Sequence, residues 1–195
     1  EYIVKDQIDS KFKQFFEEVL KEKFEKDASI REEGTKFLDN TKMLIELIGA
    51  VQRYNDDQED QKTTSLIKVM QYVSNADQQE IFFKYVHALA DVHAHNENYV
   101  EAALTLMLHS EKLSFESTEL LSPIGELFPQ EIERARKEKL YKIAIDYFDK
   151  GRDWERAIRL IRILCPYYES TTYEYEKLSE MMRLQGGGIK LFPNK

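Results

Sequence analysis

Between Asp77 and Leu113 the polar residues fall in two narrow lines. Glu80, Lys84, His87 and Asp91 recur at steps of three and four, and so do Glu101, Thr105, His109 and Lys112. That spacing keeps each set on one face of a helix. Nearly everything between is apolar: Ile81, Phe82, Phe83, Tyr85, Val86, Leu89 and Val92, then Tyr99, Val100, Ala102, Ala103, Leu104, Leu106, Met107 and Leu108. An ordinary surface helix shows one apolar stripe on a polar cylinder, so the inverse pattern predicts two helices buried on several sides. Asp77-Gln-Gln-Glu80 and Asn98-Tyr-Val-Glu101 each read as a capping residue with a carboxylate three positions on. The pattern predicts a helical hairpin at the centre of the fold, with neighbours on both flanks.

The rest of the chain supplies those neighbours. Ile8, Phe12, Phe15, Phe16, Val19 and Leu20 predict an amphipathic helix from Lys5 to about Lys26. Ser29-Ile-Arg-Glu32 before Gly34 reads as a capped turn or short helix. Phe37, Leu38, Leu44, Leu47, Ile48, Val51 and Tyr54 mark a long helix ending near Asn55, and Asn55 to Gln61 is a polar, acidic loop. A shorter helix carries Leu66, Ile67, Met70 and Val73. Beyond Leu113, the stretch from Ser114 to Phe128, with Pro123 and Gly125, predicts irregular chain, and Pro129 suits the first turn of the next helix. That helix carries Ile132, Ala135, Leu140, Ile143, Ala144, Tyr147 and Phe148 and stops at Gly151. Asp153 caps a helix bearing Trp154, Ala157, Ile158, Ile161 and Leu164, which Pro166 should kink or end. Thr171-Thr-Tyr-Glu174 opens a final helix through Leu178 and Met182. No useful period-two alternation occurs, so the predicted fold is all-α, an antiparallel array of about seven to eight helices.

A weak internal repeat supports hairpins. Asn98-Tyr-Val-Glu-Ala102 aligns with Asp153-Trp-Glu-Arg-Ala157: a cap, an aromatic, and a small residue four positions after the cap. This is the logic of tetratricopeptide-like hairpins, although the offset of 55 residues exceeds a true tetratricopeptide period.

Composition narrows the function. The 195 residues suit one domain with a real core, and a net charge of −8 argues against nucleic acid or an anionic membrane surface as partner. The single Cys165 excludes an internal disulfide and fits a reducing, cytoplasmic compartment. The chain starts at Glu1 without an initiator Met, and we expect a piece of a longer protein. Residues 1–185 should form a single helical lobe, with a Gly-rich linker and tail over 186–195.

No catalytic or cofactor chemistry stands out. His93 and His95, two apart, point to different helix faces, and no Cys or i, i+4 His pair completes a zinc set. Asn55-Asp-Asp-Gln-Glu-Asp60 lacks the glycine and closing glutamate of a calcium loop. Gly186-Gly187-Gly188 lacks the Lys-Ser/Thr of a phosphate loop. Cys165 reads as a packing residue despite nearby arginines. Arg152, Arg156, Arg159 and Arg162 form a basic line that either meets an acidic partner or pairs with Glu138, Asp146 and Asp149 on the preceding helix. No metal, no cofactor and no catalytic residue are expected.

Asp91-Val-His93 through Asn98-Tyr-Val-Glu-Ala-Ala-Leu-Thr-Leu106 resembles the Dock family of guanine nucleotide exchange factors. A second block is more specific: Glu138-Lys-Leu-Tyr141, Tyr147-Phe-Asp-Lys-Gly151, Trp154-Glu155, Ala157-Ile158, Tyr168-Glu169 and Tyr175-Glu-Lys-Leu-Ser-Glu180. The resemblance runs from roughly Gln79 to Gln185 and falls in the first lobe of Dock homology region 2, closest in wording to the Rac-directed branch. It implies a non-catalytic helical lobe that supports the exchange module and contributes to homodimerisation, with the Rho-family GTPase bound by following lobes. The parent would then be cytoplasmic and recruited to membranes through other domains. Pro166, and the tail Gly186-Gly-Gly188-Ile-Lys-Leu-Phe-Pro-Asn-Lys195, depart from the family pattern.

A flat array can cover two flanks of a central helix but hardly three. Tyr85, Leu89, Leu104, Met107 and Leu108 are therefore the candidate self-association surface. The alternative is that the first helix or the Ser114–Phe128 segment folds over it. A competing function is a free-standing tetratricopeptide-like adaptor that binds a peptide or protein partner.

Overall fold

The computed structural model describes residues 15, 18–24, 31–54, 58–75, 78–125 and 128–188. Its helices are α1 (residues 18–24), α2 (Arg31–Arg53), α3 (Glu59–Asn75), α4 (Gln79–His95), α5 (Tyr99–Ser110), α6 (Glu133–Lys150), α7 (Trp154–Pro166) and α8 (Tyr175–Arg183). The fold is all-α. Its strands, β1 (Leu120–Leu121) and β2 (Glu131–Ile132), are two residues each and pair antiparallel. Most of the Lys5–Lys26 helix, Ser29, Asn55, Asp77 and residues 189–195 lie outside the described residues.

The chain divides into two compact units, residues 1–72 and 73–195. In the first, α2 begins at Arg31 and runs through Gly34, where a turn or short separate helix was expected. Gly34 is buried, and a Cβ there would lie 2.4 Å from the Phe24 ring of α1, so the glycine admits an aromatic against the helix backbone. The Tyr72 hydroxyl of α3 donates to the Asn40 carbonyl of α2 at 2.7 Å. Leu66, Val69 and Met70 make one buried line along α3. That helix starts at Glu59, inside the stretch expected to be an acidic loop; Glu59 and Asp60 suit a first helical turn because their charge opposes the helix dipole.

In the second unit α5 lies between α4 and α6, α7 packs on α6, and α8 on α7. The larger core cluster joins Ala103, Tyr141, Ala144, Phe148, Ala157, Leu160, Ile161, Leu164, Tyr168 and Met181. A second joins Ala90, Leu106, Leu113, Phe128 and Leu140. Ala102 and Ala157, the small residues of the sequence repeat, are both fully buried, where they let neighbouring helices approach closely.

The repeat is also a backbone repeat. At the α4–α5 turn Asn96, Glu97 and Asn98 donate to the carbonyls of Val92, Ala94 and His93; at the α6–α7 turn Gly151, Arg152 and Asp153 donate to Tyr147, Asp149 and Phe148. Every donor and acceptor is displaced by the same 55 residues. Glu97 and Arg152 share the left-handed conformation, each at φ +60° immediately before the N-cap, and Tyr173, at φ +56°, holds the corresponding place before Glu174 and α8. Asp153 accepts from the Arg156 amide, as a capping residue should. The side chain of Asn98 makes no capping hydrogen bond.

The segment after Leu113 is ordered by α6 rather than by its own regularity. Glu133 accepts from the Ser114 amide at 2.6 Å, its own amide donates to the Glu119 carbonyl, and Lys137 donates to the Leu113 carbonyl. Pro129 lies outside the helix, whose first residue is Glu133; Ile132 holds the N-cap in extended conformation because 131–132 pair with β1. At the other end α7 does terminate at Pro166. Tyr167–Thr172 then form a wide π turn, so Thr171 and Thr172 close one element rather than open the next.

Candidate functional site

The two polar lines of the hairpin meet. α4 turns His87 toward α5, and His109 answers it: His87 Nε2 and His109 Nδ1 are 2.9 Å apart and share one hydrogen bond. His109 is wholly buried, stacked on the Phe83 ring at 3.9 Å, and His87 tilts against Phe128 at 4.7 Å. Thr105, in the same line, is buried and donates back to the Glu101 carbonyl. Only Glu101 and Lys112, at the ends of that line, are exposed. The second polar stripe is thus largely an interior seam, not a solvent-facing one.

Arg136 completes the seam. It is 2 % exposed, donates through Nη2 to the Pro129 carbonyl at 2.9 Å and pairs through Nε with Glu131 at 3.3 Å. Burial and the Arg136 charge both disfavour imidazolium, which lowers His87 to about 4. For His109 burial, His87 and Arg136 act together and lower it to about 3. Both rings are neutral at physiological pH, so one nitrogen of the shared bond donates and the other accepts. The buried His109 Nε2 has no hydrogen-bond partner among the described residues. A cavity of about 980 Å³ opens beside the pair, lined by Glu80, Phe83, Lys84, His87 and Asp91 of α4 and by Leu121–Gly125, Phe128 and Arg136. Burial raises the Asp91 carboxyl above its ordinary range. Nothing here pairs a nucleophile with a base.

The five residues expected on an outward surface separate. Leu104 and Leu108, one turn apart on α5, are exposed. Tyr85 is half-buried, and burial raises its phenol. Met107 is partly covered by the larger core, and Leu89 is buried, so Leu89 drops out of any association surface. Helical spacing identifies residues that share a face, but not which of two apolar faces a neighbour covers. The 114–128 segment does fold over part of the hairpin: Leu113 and Phe128 sit in the core with Ala90 and Leu106, and Leu121 and Ile124 pack on it.

Two arginines of the basic line pair close by in sequence, Arg156 with the N-cap Asp153 and Arg159 with Glu155, rather than with the α6 carboxylates the sequence offered. Two of those carboxylates are engaged elsewhere: Glu138 with Lys142 and Lys177, and Asp146 with Lys150. Burial, with Glu169 nearby, pushes the Cys165 thiol up. Among the described residues, no three His, Cys, Asp or Glu side chains gather as a metal site needs, and no helix is long and apolar enough to cross a membrane.

The helical hairpins with a polar seam define a packing lobe, and comparison with known proteins says whose. Residues 66–187 match the family model described as DHR-2, Lobe A. The chain is 34% identical to dedicator of cytokinesis protein 3 of Mus musculus over 169 residues, 85% of this chain and 8% of that protein. It is 31% identical to dedicator of cytokinesis protein 4 of Homo sapiens over 182 residues, 91% of this chain and 9% of that protein. A DOCK-like protein 1 of Saccharomyces cerevisiae is 26% identical over 122 residues, 62% of this chain. The chain therefore belongs to the Dock family, and residues 66–187 are the first lobe of its homology region 2. The match begins within α3, upstream of the resemblance read from Gln79 onward.

Proposed function

We propose that this chain is the non-catalytic scaffold and dimerisation lobe of a cytoplasmic guanine nucleotide exchange factor acting on Rho-family GTPases of the Rac type. The observation that carries this reading is the match of 66–187 to lobe A, in a chain spanning under a tenth of the two dedicator of cytokinesis relatives it matches. Exchange needs groups set against the switch loops and the nucleotide's magnesium, and this reading assigns them to the lobes that follow in the parent. The second copy is bound through the outward face of α5, where Leu104 and Leu108 are 42% and 40% exposed and one turn apart. Two adjacent exposed leucines flanked by the charged Glu101 and Lys112 fit the apolar centre and polar rim of a two-fold contact.

Release of a fluorescent guanine nucleotide from Rac tests the division of labour. The isolated chain should leave the release rate at its spontaneous value, and a longer piece of the parent that continues past residue 195 should raise it by orders of magnitude. Acceleration by the isolated chain overturns the non-catalytic reading.

A further inference from the structure

Four tyrosines fall within nine residues at the α7–α8 connection, and the fold treats them in two ways. Tyr167 and Tyr168 are buried at 8% and 0% exposure, whereas Tyr173 and Tyr175 are 65% and 63% exposed. Tyr175 is already the first residue of α8. Tyr173 belongs to no helix: it sits between the π turn and α8 in the left-handed conformation. The two sister turns carry charged residues at this place, Glu97 and Arg152, both exposed. At 65% exposure the ring adds little to the core, and a left-handed backbone disfavours so bulky a side chain, so neither the core nor the turn accounts for the tyrosine.

Its surroundings do. Glu169 lies four residues before Tyr173, Glu174 directly after it and Glu176 three after it. The backbone amides of Tyr173 and Glu174 both donate to a single acceptor, the Tyr168 carbonyl. We infer that Tyr173 is a phosphorylation site for a tyrosine kinase that prefers acidic substrates. The phenol oxygen attacks the γ-phosphorus of magnesium-bound ATP, the bond from that phosphorus to the β–γ bridging oxygen breaks, ADP leaves, and the phenolic proton passes to the kinase's catalytic aspartate. The product carries about two negative charges beside Glu174, whose carboxylate is held below its usual range by Lys177. The new phosphate offers Lys177 a second acceptor at the positive N-terminal end of α8. None of this depends on the exchange-factor reading.

The test treats the folded full chain with an acid-preferring non-receptor tyrosine kinase and magnesium-ATP, and maps the first phosphate by tandem mass spectrometry. A peptide spanning residues 167–179 is run in parallel. Tyr173 should take the first phosphate, Tyr167 and Tyr168 should take none while the chain is folded, and Tyr173→Phe should cut the initial rate about tenfold. First phosphorylation elsewhere, an unchanged rate for Tyr173→Phe, or a peptide that is phosphorylated while the folded chain is not would each overturn the inference. So would failure of both chain and peptide as substrates.

Discussion

His87 Nε2 lies 2.9 Å from His109 Nδ1, and this one bond ties the two central helices through residues that each helix, taken alone, would present to water. Burial, with Arg136 alongside, disfavours imidazolium and holds the pair as two neutral rings.

Acid should therefore loosen the hairpin. Both imidazoles have folded values below the ordinary 6.5, so their contribution is fully present above about 6.5 and is lost as the pH falls toward 4. At about 1.4 kcal/mol per pH unit, moving one imidazole from 6.5 to about 4 is worth about 3 kcal/mol for the first proton on the pair. Urea midpoints should hold level from pH 7.5 to about 6.5 and fall from there to pH 4.5. The double variant His87→Leu/His109→Phe should flatten that slope, and a wild-type midpoint independent of pH would contradict the buried neutral pair.

Gly151 should not tolerate alanine. A Cβ there would lie 2.6 Å from Val100 Cγ2 and 3.1 Å from the Val100 amide nitrogen, where α6 ends against the start of α5. Overpacking of this kind costs about 1–3 kcal/mol. Thermal denaturation should show Gly151→Ala destabilised, with partial rescue by Val100→Ala; only partial, since the backbone contact remains.

The two sister turns offer the opposite result. Glu97 and Arg152 hold φ at +60° with side chains in solvent, a conformation that costs a non-glycine residue roughly 1 kcal/mol. Arg152→Gly relieves that strain and adds unfolded-state entropy, so its unfolding free energy, from denaturant titration, should be unchanged or raised by up to about 1 kcal/mol. Asp153→Ala, one residue on, removes the only side-chain cap seen among the described helices and should cost about 1 kcal/mol.

Helices α3 to α8, and the pairing of hairpins, were legible because apolar spacing and turn residues report local geometry directly. The side to which a stripe turns was not. Thr105 and His109 look like a solvent face until α4 places His87 opposite them, and Leu89 looks outward until it is covered. Pairings across 20 or more residues, such as Lys137 with Leu113, have no local signal. The same holds for Pro129, kept out of α6 by the pairing of Glu131–Ile132 with Leu120–Leu121. Of the five residues picked by spacing, Leu104 and Leu108 are exposed and Leu89 is buried, a distinction that spacing alone does not carry.

The scaffold account stands most directly on the outward face of α5. A standard two-fold interface buries about 800 Å² per chain, enough for a stable dimer if well packed. Sedimentation velocity from low to high micromolar concentration should show the wild-type chain passing to a dimer, and Leu104→Glu and Leu108→Glu should each remain monomeric with unchanged helical circular dichroism. A wild-type chain that stays monomeric throughout, or a dimer untouched by either substitution, contradicts it.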